Sequence, residues 1–136
     1  MGFENFGIVS FTAEAKITDF VTYLKQGKVM TTRCLECGIR HFPPKADCPR
    51  CLASDVEWVE IGGAGKLATY TVVNYGPTGF ENDVPYTLAV TDFDKLRIFG
   101  RLSRDINEGN VRVGMDLRVV PIELPDSRVS YEFQHW

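Results

Sequence analysis

The four cysteines of this 136-residue chain form two Cys-x-x-Cys pairs, Cys34 with Cys37 and Cys48 with Cys51. Ten residues separate the two pairs. Each pair can fold as a tight turn, called a knuckle here, that presents two thiolates, and two facing knuckles complete the tetrahedral sulfur cage that Zn²⁺ accepts. The spacing therefore predicts a metal site in which all four cysteines are ligands.

A structural role for this metal is favoured over a catalytic one. A catalytic zinc keeps one coordination position open for water or substrate, whereas four thiolates close the shell. Disulfides are a less favoured alternative, because the amino terminus does not resemble a secretory signal and reducing compartments keep thiols free. Iron in the same cage would give a rubredoxin-like electron carrier, and sulfur ligands alone do not exclude it.

The composition is that of a folded domain with a mildly acidic balance. With 44% hydrophobic residues, the chain can bury one core or two small units. No apolar run approaches membrane-spanning length, which predicts a cytoplasmic protein. The net charge of −3 argues against a general nucleic-acid coat. Four basic residues near the knuckles are expected to offset the negative charge of the cage: Arg33, Arg40, Lys45 and Arg50.

Apolar residues at helical spacing predict one helix from Thr12, a plausible N-cap, to about Gln26, with Gly27 as its stop. Its apolar stripe consists of Ile17, Phe20, Val21 and Leu24. A single short helix is not stable in water, so this stripe must pack on the zinc unit, the following domain or another subunit. Residues 1–10 are expected to be either an arm that docks on a partner or a frayed terminus.

After the second knuckle the pattern changes from helix and knuckles to strands. The runs rich in β-branched and aromatic residues span 56–61, 66–75, 86–91, 96–102, 117–124 and 129–133. Asp92 to Lys95 is predicted to be a hairpin turn, and Gly62 and Gly63 separate the first run from the rest. About five strands in succession predict a small closed or nearly closed barrel of the OB type.

Several apparent catalytic motifs do not fit their predicted context. The string at 63–68 matches G-x-G-x-x-A, but it precedes a strand instead of linking a strand to a helix, so dinucleotide binding is rejected. His41 and His135 have no nucleophile in a recognisable motif nearby and are expected to be exposed structural residues. Asp92 and Asp94 are expected to cap the hairpin. The sequence thus predicts no catalytic residues.

Two features are typical of binding surfaces. Strand alternation places Arg97, Phe99 and Arg101 on one face, an arrangement that suits phosphates and a flat ring, although a solvated barrel exterior is also consistent with it. The loop 76–85 carries Phe80 at its middle, which can anchor a partner or fold back on its own core. A candidate partner interface therefore comprises Phe80, Pro77 and the helix residues Phe20 and Leu24.

From about Thr18 to Pro125 the chain resembles a widespread prokaryotic family, described as a domain of unknown function, that joins a rubredoxin-like zinc ribbon to an OB-fold. The matching segments are Gly27-Lys28, 32–38, Phe42-Pro43-Pro44, 48–51, Glu57-Trp58, 63–65, 71–73, Gly79-Phe80 and 113–115. Leu52 departs from the family pattern, which has glycine after the second knuckle. This difference is expected to strain the local turn without removing a ligand.

The resemblance implies a fold class that is mainly β with a short N-terminal helix. It implies an arm and helix at 1–28, a zinc ribbon at 29–61 and a five-stranded OB-fold barrel with a tail at 62–136. Members look like non-catalytic partners of thiolase-superfamily enzymes that help to bind or pass on an acyl-CoA. The alternative is a module for single-stranded nucleic acid, because zinc ribbons and OB barrels both serve that purpose.

Overall fold

The computed structural model describes residues 5–8 and 17–136 of the chain. After one helix, α1 (Asp19–Lys25), three strands form a small antiparallel sheet: β1 (Met30–Cys34), β2 (Arg40–His41) and β3 (Val56–Glu60). The strand order in this sheet, called the ribbon here, is β2-β1-β3. The sequence predicted β3 but did not delimit β1 and β2, which are short and carry the first knuckle between them.

The remaining five strands close into a barrel in the order β4-β5-β6-β8-β7. They are β4 (Gly65–Val73), β5 (Tyr86–Phe93), β6 (Leu96–Leu102), β7 (Asp116–Leu124) and β8 (Arg128–His135), with a short 3-10 helix at Glu108–Asn110. All neighbouring strands are antiparallel except β6 and β8. The predicted class is therefore confirmed: a mainly β chain with one short helix and a five-stranded closed barrel of the OB type.

The barrel core is built from alternate residues of its strands. Leu67, Ile98, Leu117 and Phe133 have at most 1% of their surface exposed. On β6 the neighbours of Ile98, namely Arg97 and Phe99, point outward, as the period of two predicted. The predicted hairpin is also present, with Asp94 and Lys95 at its tip, both at positive φ.

Helix α1 ends as its sequence predicted and packs on its own chain. Gly27 has φ +87°, and the N–H groups of Gly27 and Lys28 donate to the carbonyls of Leu24 and Tyr23, which is a Schellman motif. The predicted N-cap, Thr12, lies outside the described residues. Ile17 and Thr18 were predicted to be helical, but they form a turn. The helix begins at Asp19, and Thr18 takes the N-cap position.

The placement of the helix stripe corrects the predicted partner interface. Phe20 and Leu24 each have only 3% of their surface exposed, because α1 packs against β1, β7 and β8. Phe6, from the arm, also contacts the rings of Phe20 and Tyr131, and Gly7 N–H donates to the carbonyl of Val129. These residues belong to the chain's own core or its edge, so they do not form a free surface for another subunit.

A cluster of aromatic rings joins the ribbon to the barrel. Phe42, from the loop after β2, contacts Phe20 of α1 and Tyr131 of β8, with ring centroids 5.8 and 5.2 Å apart. Arg40 of β2 also donates to the carbonyls of Phe93 and Asp94 at the β5–β6 turn. The ribbon is thus fixed against the barrel through both apolar and polar contacts.

Candidate metal centre and outer barrel face

The two knuckles bring all four cysteine sulfurs together. The Sγ atoms of Cys34, Cys37, Cys48 and Cys51 all lie within 4.8 Å of one another. The distance from Cys34 Sγ to Cys51 Sγ is 3.5 Å, and that from Cys37 Sγ to Cys48 Sγ is 3.6 Å. Four sulfurs about 2.3 Å from a tetrahedral zinc are separated by about 3.8 Å, whereas a disulfide needs about 2.05 Å. The arrangement fits a closed metal cage.

The same backbone turn positions both halves of the cage. Gly38 N–H donates to the carbonyl of Cys34, and Leu52 N–H donates to that of Cys48, each over 2.9 Å. Both turns end in the left-handed region, with φ +78° at Gly38 and +65° at Leu52. The strain expected at Leu52 is therefore present, and the Cys48 and Cys51 side chains are still in place.

Backbone donors and neighbouring sulfurs set the pKa values of the metal-free thiols. The backbone N–H of Cys37 lowers the pKa of Cys34 to about 7, and that of Cys51 lowers the pKa of Cys48. The backbone of Ala53 lowers the pKa of Cys51, but the Cys34 sulfur, burial and the other two sulfurs outweigh it and raise the pKa to about 12. The cage therefore ionises in part by itself, and a bound cation would remove the repulsion that resists full ionisation.

The charges around the cage differ from the expectation. Arg33 pairs with Glu57 on the adjacent strand, and Arg40 binds the barrel, so neither is free to offset the thiolates as predicted. His41 was predicted to be exposed, but it is buried, with only 8% of its surface accessible to solvent. Burial, and secondarily Lys45, lower its pKa. His135 is exposed, as predicted.

The three predicted ligand-binding residues share the outer face of β6 but differ in their surroundings. Arg97 is an exposed residue whose Nε lies 2.9 Å from Asp92 Oδ1. Arg101 is largely covered: its guanidinium lies 4.2 Å from the centre of the Tyr86 ring and pairs with Asp83. The distance from Arg101 Nη1 to Asp83 Oδ2 is 2.5 Å. This contact is an ion pair without a hydrogen bond, because no donor in the described part of the chain is well aligned with Asp83 Oδ2.

Phe99 and Arg101 line a groove of about 260 Å³ on the barrel exterior, but Arg97 does not. Phe80 also lines this groove and tilts toward the ring of Tyr86, with ring centroids 6.3 Å apart. The half-buried Phe80 thus folds over its own barrel, while Pro77 in the same loop is exposed. The other apolar walls come from Phe6, Ile8, Leu88, Ile122, Leu124 and Tyr131.

An ion cluster that sequence reasoning missed holds the Phe80 loop in place. Asp83 accepts from Arg104 and pairs with Arg101, so one carboxylate of the loop binds two guanidinium groups of the barrel. Arg104 also donates to the carbonyl of Pro85 over 3.0 Å. Local sequence carries no signal for this cluster, because its members are brought together by the closure of the barrel.

Two adjoining family models match the chain. The rubredoxin-like zinc ribbon domain of ChsH2 matches residues 22–57, and the C-terminal OB-fold domain of ChsH2 matches residues 58–120. The chain belongs to the ChsH2 family. The four cysteines of the cage lie within the first model, so the expected metal of the ribbon, zinc, agrees with both the family and the geometry.

The proteins to which this chain is similar include a subunit of a thiolase. The chain is 29% identical to the benzoylsuccinyl-CoA thiolase subunit BbsA of Thauera aromatica, over 75% of this chain and 72% of that one. It is 34% identical to a DUF35 domain-containing scaffold protein of Methanocaldococcus jannaschii, over 65% of this chain. The chain matches only 63% of the length of the Methanocaldococcus jannaschii protein and 62% of the length of a scaffold protein of the same description from Pyrococcus furiosus.

Solved structures share the same fold. A chain of the Ltp2-ChsH2(DUF35) aldolase superposes with a TM-score of 0.74 and 25% identity, over 90% of this chain and 97% of that one. A DUF35 protein of unknown function from Sulfolobus solfataricus superposes with a TM-score of 0.57 and 22% identity, which supports the fold alone. In the described part of this chain, no helix has the length and apolar character to cross a membrane.

Proposed function

We propose that this chain is a non-catalytic subunit of a thiolase-superfamily enzyme and that it assists the binding or transfer of an acyl-CoA. The observation that carries the proposal is the match of ribbon and barrel together, over 90% of the chain, to a ChsH2 chain from an aldolase complex. The similarity to a thiolase subunit supports the same role. In this role the attacking nucleophile belongs to the partner, and this chain supplies contact surface.

The metal is structural in this proposal. Cys34, Cys37, Cys48 and Cys51 would hold one Zn²⁺, which supplies folding energy to the ribbon and leaves no open position for substrate. We also propose the division into an arm and helix at 1–28, a zinc ribbon at 29–61 and an OB-fold with a tail at 62–136. A cytoplasmic location is part of the proposal, since a reducing compartment keeps the four thiols available to the metal.

In this proposal the acyl-CoA contacts this chain at the groove beside β6. Phe99 offers an exposed ring there, and Arg101, which lines the groove, shares the single carboxylate of Asp83 with Arg104, which does not line it. One unit of positive charge is therefore not neutralised within this cluster, which favours an anionic group such as a phosphate. Arg97 stands apart from the groove and is a weaker candidate for this contact.

Co-expression with the thiolase-superfamily protein of the same host tests the proposal. We expect a hetero-oligomer that survives gel filtration, with acyl-CoA turnover that requires both chains. If the isolated thiolase protein turns over acyl-CoA as fast as the mixture and no complex forms, the proposal is wrong. A gel-shift assay with single-stranded oligonucleotides at physiological salt tests the alternative. We expect no shift at micromolar protein, because the chain has a net charge of −3 and the exposed Arg97 already pairs with Asp92.

A further inference from the structure

Two leucines lie beside the cage, one within the first knuckle and one directly after the second. Leu35 directly follows Cys34 and Leu52 directly follows Cys51, and the Sγ atoms of these two cysteines are 3.5 Å apart. The N–H of Leu35 also donates to the carbonyl of Asp55, three residues beyond Leu52. The two residues therefore lie on neighbouring turns, and we call them the leucine pair.

The chain's own core makes little use of the leucine pair. Leu35 has 57% of its surface exposed and Leu52 has 83%, and neither contributes to the hydrophobic core. Single exposed apolar residues are common on protein surfaces, whereas neighbouring ones are typical of interaction sites.

The backbone of Leu52 adds an independent observation. Its φ of +65° lies in the left-handed region, which costs leucine free energy that glycine does not lose. The first knuckle makes the same turn with Gly38, so the fold does not require a side chain at this position. An exposed leucine in a strained conformation is destabilising by itself, and strain of this kind concentrates at functional sites.

The charge near the leucine pair indicates what kind of surface it fits. The exposed acidic residues in and beside the knuckles are Glu36, Asp47 and Asp55, and the exposed basic residues are Lys45, Arg50 and Arg33, the last paired with Glu57. Four thiolates with one Zn²⁺ add a formal charge of about −2. A partner surface with a basic rim is electrostatically complementary to this end of the ribbon.

We propose that the leucine pair anchors this chain to the thiolase-superfamily subunit, by inserting into an apolar recess with a basic rim on that protein. This inference rests on the proposed function, which names the partner. Burial of an exposed leucine side chain is worth at least about a tenfold change in affinity. This proposed contact with the partner is separate from the barrel groove, and it does not involve the metal, whose coordination shell is closed.

Leu52→Gly separates binding from folding. We expect this variant of the full chain to keep its zinc and to melt at a higher temperature than the wild type, because it relieves the left-handed leucine and loses little packing. We expect the Kd for the purified thiolase-superfamily subunit, measured by titration calorimetry, to rise at least about tenfold. Leu35→Ser should weaken binding similarly. Val113→Ser, which changes an exposed apolar residue on the barrel, is the matched control and should leave the Kd within about twofold.

The outcomes distinguish this inference from the proposed function. If the wild-type chain forms no complex with the thiolase-superfamily subunit, the proposed function is overturned and the anchor with it. If the wild type binds and both leucine variants bind equally well with zinc retained, only the anchor is overturned. Should Leu52→Gly lose zinc, Leu35→Ser decides, because it leaves the second knuckle unchanged. A Kd that rises with added NaCl is expected from the basic rim, and a Kd independent of salt would contradict that part.

Discussion

The residues with the most specific chemistry in this chain are the four cysteines, and each knuckle contributes one buried and one exposed member. Cys34 and Cys48 are fully buried, whereas Cys37 and Cys51 are exposed. Backbone N–H groups lower the pKa values of the buried pair, whereas at the exposed Cys51 the neighbouring sulfurs and burial outweigh the backbone of Ala53 and raise the pKa. This arrangement is suited to holding a divalent ion in a closed shell.

Cys48→Ser tests the cage at the level of one ligand. We expect the zinc content, measured by elemental analysis, to fall from one per chain to a small fraction of that. Structural zinc sites contribute on the order of 10 kcal/mol of folding free energy, so the ribbon should unfold, while the barrel retains its own core of Leu67, Ile98, Leu117 and Phe133. Ser54→Ala, at an exposed position of the same loop, is the control. Iron with a visible spectrum in the wild type would contradict the zinc assignment.

The pH dependence of metal retention follows from the same thiols. Protons compete with the metal for sulfur, and the backbone N–H of Cys37 lowers the pKa of Cys34 to about 7 even without a metal. The thiolate is the ligating form, and the lowered pKa keeps Cys34 in that form down to about neutral pH, so affinity should be greatest in alkaline solution and fall as the pH decreases. We expect a chromogenic chelator to detect little zinc release at about pH 8 and progressive release below about pH 6. Release that increases with pH would be inconsistent with thiolate ligands.

Among the elements, the contact between ribbon and barrel depends on the aromatic cluster of Phe6, Phe20, Phe42 and Tyr131. Tyr131 is central to it: its ring contacts the other three, and its hydroxyl donates to the carbonyl of Phe99 over 2.6 Å. Burial raises the pKa of Tyr131 to about 12, so the hydroxyl stays protonated and remains a donor at physiological pH. The cluster thus joins the arm, the helix, the ribbon and the barrel.

Phe42→Ala tests whether this cluster stabilises the assembly of elements. Phe42 is partly buried, so we expect the free energy of unfolding in urea to fall by about 2–3 kcal/mol, somewhat less than for a fully buried phenylalanine. Phe99→Ala, which removes the same side chain from a mostly exposed position, should cost less than about 1 kcal/mol. Equal losses in the two variants would show that the ring contacts of Phe42 contribute little.

At the scale of the whole molecule, the surfaces that remain available to a partner differ from those that the sequence pattern predicted. The helix stripe is buried, so the remaining candidates are the leucine pair, the exposed Pro77 with the Phe80 loop, and the groove beside β6. Asp83 ties this loop to Arg101 and Arg104, which keeps Phe80 over the groove. A rigid loop loses less conformational entropy on binding than a mobile one.

Phe80→Asp is expected to weaken assembly with the thiolase-superfamily subunit at least about tenfold, because a carboxylate in a desolvated aromatic site costs binding energy. The barrel should remain folded, since the fully buried core lies elsewhere. Gel filtration of the mixture measures assembly, and circular dichroism of the isolated chain measures folding. Val113→Asp, at an exposed barrel position, is the control. Loss of the folded barrel in the Phe80 variant alone would mean that Phe80 is chiefly a core residue.

The sequence by itself determined the metal ligands, most strand positions and the end of the helix. These features depend on local rules: the spacing of cysteines, the period of two along β5 and β6, and the conformational freedom of Gly27. The resemblance of the ordered motifs added the family, because a series of matched segments is more specific than two knuckles. The resemblance also predicted strain at Leu52, because the family pattern has glycine there.

The tertiary structure alone decided which surfaces are free. Sequence periodicity marks Phe20 and Leu24 as one apolar face but does not say what covers it, and here the barrel and the ribbon do. It likewise placed Arg97, Phe99 and Arg101 on one face without showing that two of them pair with Asp92 and Asp83. Such pairings join residues from separate turns and strands, and they arise only when the closed barrel brings those elements together.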